Sequence, residues 1–300
     1  MKVYKFRTVD AYSLTGLANS EIWFSGLQDF NDPFEGSYKF DDDEYDAKDK
    51  EILNKNYPWH GFDGVAGENI KASLAENNIH DFETWSIADK WIFTLKLDLE
   101  SIIKTVHSSK AVCLSRQFIS EKDFNEGKEK DTIYENLLWS HYSSGLRGFC
   151  LAFDDIPFYE SLVEFGDVVV VTPIVYQNTP ELLEVKKWQE LVWRENPDEV
   201  DDVNYVYKSI ATKSEHWSYE KEMRFVSTNH SESKRRYSPT SLIEIIIGDK
   251  MPLDQQKLVI NTAISANQNV KVKLARLKSN SYELEVVDYK SARVGSCVLP

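Results

Sequence analysis

The chain has 300 residues, of which 42% are hydrophobic and 13% aromatic, enough to bury a sizeable core in one large domain or two. Its formal net charge of −14 opposes nonspecific attraction to phosphate backbones and anionic lipid, which disfavours broad nucleic-acid binding. The longest apolar runs, at 168–171 and 243–247, are too short to cross a bilayer, and the first ten residues lack the apolar segment of a secretory signal. We therefore expect a folded, cytoplasmic protein with no membrane partner.

The cysteines indicate neither a disulfide framework nor a zinc site. Cys113, Cys150 and Cys297 are odd in number and have no paired spacing. Cys150 lies in an alternating apolar segment, which favours a small core residue over a nucleophile. The His, Asp and Glu residues show no recognisable metal spacing, and we expect no metal.

The first predicted elements alternate between strand and helix. A strand at Val3–Arg7 is followed by a short helix that begins near Asp10 and by a second strand at Glu21–Ser25. From about 41 to 110 the sequence becomes acidic and irregularly amphipathic, which indicates helices inserted between parts of a sheet.

The second part of the chain is richer in strands. The predicted elements are a strand at 111–118, a helix at 131–145, strands at 147–154 and 166–177, a helical insertion at about 180–213, a buried strand at 242–249, a helix at 253–267 and strands at 270–278 and 282–289. Within 147–154, alternation places Phe149, Leu151 and Phe153 on one face. The pattern predicts a single α+β domain over 1–300, with a mixed, mostly antiparallel sheet and the two helical insertions.

The stretch KSEHWSYEKEMRFV, 213–226, sets Glu220 and Glu222 one residue apart. If it is extended, Ser218, Glu220, Glu222 and Arg224 share one face, and the apolar pair that follows favours this strand. If it is helical, Glu220 and Arg224 form an ordinary i,i+4 ion pair.

Both a solvated strand face with salt bridges and a ligand site remain open for this stretch. Trp217 and Tyr219 supply flat apolar surfaces, and Arg224 supplies a planar cation beside the carboxylates. Such a set would suit a charged, ring-bearing ligand. His141, at the end of a predicted helix, would either cap carbonyl groups or bind a ligand.

Several segments resemble one known family. They are FNDPFEG at 30–36, CLSR at 113–116, LLWSHYSSGLRGFCLAFD at 137–154, WSYEKEMRF at 217–225 and IIIGDKM at 245–251. Their order and their spread over most of the chain resemble the bacterial family called domain of unknown function 2971. That family name carries no activity.

A more distant likeness suggests an activity. The order Arg7 on the first strand, Ser25 at the end of the second and Glu220-Lys221-Glu222 later is similar to ADP-ribosyltransferase domains, which use a catalytic glutamate, often as Glu-x-Glu. The sequence departs from the familiar pattern in having no Ser-Thr-Ser triplet and no clear His-Gly-Thr. The resemblance implies an ADP-ribosyltransferase-like sheet and NAD as cosubstrate.

The resemblance also implies roles for individual residues. Glu222 would hold the ribose 2-hydroxyl and stabilise positive charge as the nicotinamide bond breaks, and Glu220 would orient or deprotonate the acceptor. Arg7 would grip the pyrophosphate. The remaining expected cofactor-binding residues are Ser25, Phe34, His141, Tyr142, Trp217 and Arg224, with Tyr142 or Phe34 stacking on nicotinamide.

We therefore expect an NAD-using ADP-ribosyltransferase-like enzyme that modifies an unknown macromolecule, protein or nucleic acid, as a bacterial toxin or defence effector. The alternative is a noncatalytic module that binds a ligand or a protein through the Trp-Tyr-Glu-Arg surface. Replacing a glutamate separates the two, because only an enzyme has turnover to lose.

Overall fold

The computed structural model describes residues 1–32, 34–41, 44–61, 64–166, 169–194, 204–227 and 232–290, without the side chains of 64–66. The chain forms two compact units. Unit 1 comprises Met1–Pro33, Ser108–Asn178 and Lys213–Pro300, and unit 2 comprises Phe34–His107 and Thr179–Thr212. The helical insertions expected at about 41–110 and 180–213 fall mainly within unit 2, and the expectation of a single domain stays a prediction.

The strands of the two units are numbered together in chain order. They are β1 (Lys2–Arg7), β2 (Glu21–Trp23), β3 (Ser25–Gly26), β4 (Tyr38–Phe40), β5 (Lys110–Arg116), β6 (Phe149–Asp154), β7 (Val169–Pro173), β8 (Val175–Tyr176), β9 (Glu181–Leu183), β10 (Thr212–Lys213), β11 (Glu222–Ser227), β12 (Lys234–Arg236), β13 (Leu242–Gly248), β14 (Lys271–Leu277) and β15 (Leu284–Asp288).

Unit 1 is built on one large mixed sheet. Its strand order is β15-β14-β13-β6-β1-β5-β11-β7, and β3 pairs additionally with β5. Only β13 and β14 run parallel among these described neighbours; the other pairs are antiparallel. This architecture confirms the predicted α+β class with a mostly antiparallel sheet.

The helices flank the strands in both units. They are α1 (Ala11–Asn19), α2 (Ala47–Asn56), α3 (Gly64–Glu76), α4 (Ile87–His107), α5 (Glu121–Asn125), α6 (Asn136–Tyr142), α7 (Asp155–Glu164), α8 (Val185–Val192) and α9 (Leu253–Ala266). Helix α1 begins where the sequence predicts, because the Asp10 side chain accepts a hydrogen bond of 2.7 Å from the Ser13 amide and caps the first turn.

Each face of the large sheet carries a buried apolar cluster. Phe149, Leu151 and Phe153 of β6 point into one apolar cluster, as their alternation predicts, whereas Cys150 and Ala152 point into a second cluster. A strand that is covered on both faces reads as an unbroken apolar run, which explains the sequence of β6.

Unit 2 is mainly helical, and its long helix α4 is its largest element. Helix α4 packs against α2 and α8, and β4 pairs in parallel with β9. Aromatic rings are frequent here: Trp91 contacts Trp193 edge to face, and Trp193 stacks on Tyr57 with ring centroids 4.7 Å apart. The sequence predicts a helix near the start of 180–213, but 181–183 form strand β9 instead.

On one side, strand β5 pairs with different strands at its two ends. Ser115 and Arg116 pair with β1, whereas Lys110 and Ala111 pair with β3. Between these two contacts the Lys5 ammonium donates a hydrogen bond of 2.8 Å to the Cys113 carbonyl. A lysine side chain therefore fills the interval between β1 and β3.

A close backbone approach links the start of β6 to the end of β1. A Cβ atom added at Gly148 would lie 2.1 Å from the carbonyl oxygen of Arg7 and 2.7 Å from the Ser143 hydroxyl. Only glycine fits at this position, and the contact holds the loop after α6 against the first strand.

Among the helices in the described part of the chain, none combines the length and the apolar character needed to cross a bilayer.

Candidate functional site

The two glutamates of the Glu-x-Glu stretch belong to different elements. Glu220 ends a 3-10 helix at Glu215–Glu220, and Glu222 begins strand β11. Between them Lys221 adopts the left-handed conformation, with φ 44°. The expectation that Ser218, Glu220, Glu222 and Arg224 share one strand face is wrong for Ser218 and Glu220, because the left-handed residue turns the chain before the strand begins.

A lysine brings the two carboxylates together. The ammonium of Lys213 lies 2.7 Å from one oxygen of Glu220 and 3.1 Å from one oxygen of Glu222. All three side chains are at most 8% exposed. The two glutamates are therefore not a solvent-exposed surface pair. They belong to one buried cluster that charge-assisted hydrogen bonds to Lys213 hold together.

Arg224 completes the charge balance on the strand. Its Nε donates a hydrogen bond of 2.7 Å to the second oxygen of Glu222, two residues earlier on the same face of β11. The Arg224 side chain is fully buried, and its guanidinium lies over the ring of Phe30 at 5.2 Å. The backbone amide of Glu222 donates to the Tyr176 hydroxyl at 2.7 Å, which fixes the start of the strand.

The cluster shifts the pKa values of the two glutamates in opposite directions. Burial alone would raise the pKa of Glu222, but Arg224 and Lys213 outweigh it and hold that pKa well below its usual range. Burial raises the pKa of Glu220, and the charge of Glu222 adds to the effect against the opposing attraction of Lys213. Burial would lower the pKa of Lys213, but the two carboxylates raise it above its ordinary value.

Helix α6 supplies one side of the cluster. Its last residue, Tyr142, donates a hydrogen bond of 2.5 Å from its hydroxyl to Glu220. Burial and the neighbouring carboxylate raise the pKa of Tyr142, so this phenol stays protonated as the donor. His141 is exposed and its Nδ1 lies 2.9 Å from the Tyr219 hydroxyl, so it belongs to the rim.

Trp217 lies against the shared cation. The Lys213 ammonium is 4.7 Å from the centroid of the Trp217 ring, within the range of a cation–π contact. Trp217 also neighbours Tyr219, with ring centroids 6.2 Å apart. Two predicted binding residues, Trp217 and Tyr142, thus lie within one contact of the carboxylates, with Arg224 on the other side of Glu222.

Arg7 is not brought to this cluster. Along β1, Tyr4 pairs with Ser115 of β5, which pairs in turn with Glu222, so these three residues share one face. Arg7 is displaced from Tyr4 by three positions and therefore projects from the opposite face. Burial lowers the pKa of Arg7, and the charged groups that act on it are Asp10 and Tyr237 rather than the glutamates.

Ser25 and Phe34 belong to different units of the chain. Ser25 pairs with Ala111, which pairs with Val226 on β11, so Ser25 lies on the same face as Glu222 but near the other end of the strand. Phe34 belongs to unit 2 and is 70% exposed. Its role in stacking stays a prediction.

The cysteines and acidic residues give no second centre in the described ranges. Cys150 is fully buried, and burial raises its pKa, which fits the expected core role and not a nucleophile. No group of three or more His, Cys, Asp and Glu side chains within those ranges is arranged to hold a metal ion.

Sequence reasoning missed Lys213 and Lys5. Lys213 precedes Glu220 by seven residues, but it lies on β10 before the 3-10 helix that Glu220 ends, so helical periodicity does not give the contact. Lys5 stands between Tyr4 and Phe6 in the middle of β1, and a charged residue at this position was the signal that the sequence offered. Burial and the neighbouring Arg7 lower the pKa of Lys5 to about 8, although Glu222 and Glu220 act in the opposite direction.

The comparison with protein families gives one match. Residues 138–225 match the family described as a protein of unknown function, DUF2971. This segment contains Tyr142, Lys213, Glu220, Glu222 and Arg224, which are the charged cluster and its phenol donor. The family resemblance predicted from the motifs is therefore confirmed over this segment. The chain matches no curated protein and no solved structure.

Proposed function

We propose that this chain is an NAD-using ADP-ribosyltransferase-like enzyme that modifies an unidentified macromolecule in the cytoplasm, as a bacterial toxin or defence effector. The observation that carries the proposal is the meeting of Glu220 and Glu222 on one lysine ammonium, with pKa values shifted in opposite directions. Two nearby carboxyl groups whose environments separate their pKa values are the arrangement by which enzymes assign distinct acid and base roles.

The two shifts match the two tasks of the proposed reaction. Cleavage of the nicotinamide–ribose bond develops positive charge on the ribose, and a carboxylate that stays ionised can stabilise that charge. Glu222, held ionised by Arg224 and Lys213, suits this role. A carboxylate with a raised pKa is a stronger base. Glu220 therefore suits removal of a proton from the acceptor.

The residues around the cluster fit part of the NAD molecule. Trp217, Tyr142 and Tyr219 offer ring faces for a planar base beside the carboxylates. NAD would supply the glycosidic bond and the nicotinamide leaving group. Arg224 already binds Glu222, and Arg7 lies on the other face, so the proposal assigns neither guanidinium to the pyrophosphate. Ligand access to Glu222, which is 3% exposed, requires the covering side chains to shift.

Label transfer from adenylate-labelled NAD tests this proposal. Purified protein is incubated with cell lysate, and label is followed in the protein, RNA and DNA fractions. We expect transfer by the native protein and none by Glu222→Gln. For Glu220→Gln we expect nicotinamide release to persist while transfer to the acceptor falls, because proton removal from the acceptor is lost. Absence of both release and transfer with the native protein would overturn the proposal.

A noncatalytic binding module is the second candidate. The observation that favours it is that both carboxylates are nearly fully buried and already bonded to cations of the same chain. Buried ion pairs also occur as structural features that specify a fold. A module of this kind would show saturable ligand binding without nicotinamide release, and Glu222→Gln would change affinity only.

A further inference from the structure

Unit 2 contains a groove of about 680 Å³, which residues of α3 and α4 and the end of α8 line. A cavity of this volume is typical of a site for a small molecule. Among its lining residues, Ile70 of α3 and Leu95 of α4 are buried and apolar. The groove therefore offers apolar surface between two helices of one unit.

Two tryptophans meet where the first half of α4 lines the groove. The rings of Trp91 and Trp193 have centroids 5.3 Å apart and planes at 85° to each other, so they form a corner. The Trp91 Nε1 already donates a hydrogen bond of 3.0 Å to the Tyr57 carbonyl, so this indole offers a ligand its ring rather than its donor. Indole rings attract ammonium groups, so the corner suits an organic cation.

The charged residues that line the groove are mainly acidic. They are Glu76, Asp98 and Glu100, with Lys104 as the base among them. Asp98 is exposed, and its Oδ2 accepts a hydrogen bond of 3.0 Å from the indole nitrogen of the buried Trp188. Because this donor is neutral, it orients the carboxylate without cancelling its charge. A hydrated metal ion would gain little from the apolar and indole surfaces nearby, whereas an organic cation would use all three kinds of contact.

The spacing along α4 defines the length of the occupant. Trp91 and Asp98 are seven positions apart, so they share one face of the helix and lie roughly 10 Å apart along its axis. Leu95 stands between them on the same face, at the i+4 position from Trp91. An occupant that uses both ends therefore has two cationic groups joined by an apolar chain.

We propose that this groove binds a linear polyamine. One ammonium group lies in the corner of Trp91 and Trp193, and a second lies against the Asp98 carboxylate. The methylene chain between them packs on Leu95 and Ile70, as the stem of a lysine side chain packs on apolar surface. The site lies within unit 2 and does not depend on the proposed transferase activity.

Isothermal titration calorimetry of the full chain with octamethylenediamine tests the proposal, because this diamine spans about two turns of helix when extended. We expect saturable binding at low salt that weakens as salt increases. Octylamine, with one charge, should bind at least about fivefold more weakly, and octanediol, with none, should show no saturable binding. Trimethylenediamine should also bind at least about fivefold more weakly, because it cannot reach from the indole rings to Asp98.

Two matched variants locate the binding. Asp98→Asn should weaken binding of octamethylenediamine about fivefold, whereas Glu51→Gln, which removes one negative charge from an exposed position of α2 in the same unit, should change it by less than about 1.5-fold. No saturable binding by the native protein, or equal effects of the two variants, would overturn the proposal. Equal affinities for the long and the short diamine, or displacement of the diamine by an equal concentration of Mg²⁺, would show attraction by charge alone and would also overturn it.

Discussion

The hydroxyl of Tyr142 donates a hydrogen bond of 2.5 Å to Glu220, across 78 positions of sequence. The bond joins the end of helix α6 to the end of the 3-10 helix that precedes β11. It places a protonated phenol on the glutamate with the raised pKa. The folded chain therefore gives Glu220 a partner that Glu222 does not have.

Replacement of Tyr142 tests this bond. Tyr142→Phe keeps the ring and removes the donor, so a buried carboxylate oxygen loses a partner, and the free energy of unfolding should fall by about 1–2 kcal/mol. Urea denaturation measures the change. Tyr282→Phe, at a position that is 93% exposed, serves as control and should change stability by less than about 0.5 kcal/mol. Equal stability of the native protein and Tyr142→Phe would contradict the account.

Removal of the Lys213 charge should be costly, because both buried glutamates bind it. Lys213→Met leaves Glu220 without its cation and Glu222 with Arg224 alone, so the free energy of unfolding should fall by about 3–5 kcal/mol at neutral pH. The exposed pair of Lys278 supplies the control, because Lys278→Met should cost less than about 1 kcal/mol.

The loss in Lys213→Met should also depend on pH. Without the ammonium, the pKa of Glu220 rises further, so the folded variant binds a proton more readily than the unfolded chain. The stability difference from the native protein should therefore narrow as the pH falls from 7 toward 5. A difference that is constant over this interval would show that the carboxylate is not the group left uncompensated.

The lowered pKa of Lys5 predicts a second pH dependence of stability, at alkaline pH. Its pKa in the folded protein is about 8, below the ordinary value of 10.5, so between these values the unfolded chain binds more protons. The native protein should gain about 2 kcal/mol of stability relative to Lys5→Met between pH 7.5 and 9.5. Paired urea titrations at the two pH values measure this gain. An unchanged difference between the two proteins would place the amine in water rather than beside the Cys113 carbonyl.

The backbone contact at Gly148 predicts a sharp steric effect. Gly148→Ala would place a methyl group 2.1 Å from the Arg7 carbonyl oxygen, so the backbone must shift and stability should fall by about 3 kcal/mol or more. At Gly26 an added Cβ would meet atoms no closer than 3.4 Å, so Gly26→Ala is the matched control with a small effect. Thermal unfolding compares the two, and similar midpoints would argue against the close approach.

The sequence predicts the regular elements of unit 1 well because their periodicity is strong. The alternation in β6 and the buried run of β13 identify both strands, and Asp10 marks the start of α1. Sequence reasoning failed at Lys221, where one left-handed residue ends the 3-10 helix and moves Glu220 off the strand. Nothing in local propensity requires a lysine to adopt that conformation.

The candidate site was predicted only in part for a related reason. Glu220, Glu222 and Trp217 lie within one short stretch, so their proximity follows from the chain itself. Lys213 and Tyr142 reach them through tertiary contacts, and only the family motif around Tyr142 indicated it. The opposite placement of Arg7 follows from strand register, which a single sequence does not specify.

Nicotinamide release from NAD tests whether Glu222 is a catalytic group, with Glu222→Gln and Glu244→Gln compared with the native protein. Glu244 is the matched control, since it is also a buried strand glutamate held by two cations, Lys2 and Lys273. We expect release by the native protein and by Glu244→Gln, and a rate at least about a hundredfold lower for folded Glu222→Gln. Absence of release by the native protein, or equal rates for the two variants, would contradict the claim that Glu222 acts in NAD chemistry.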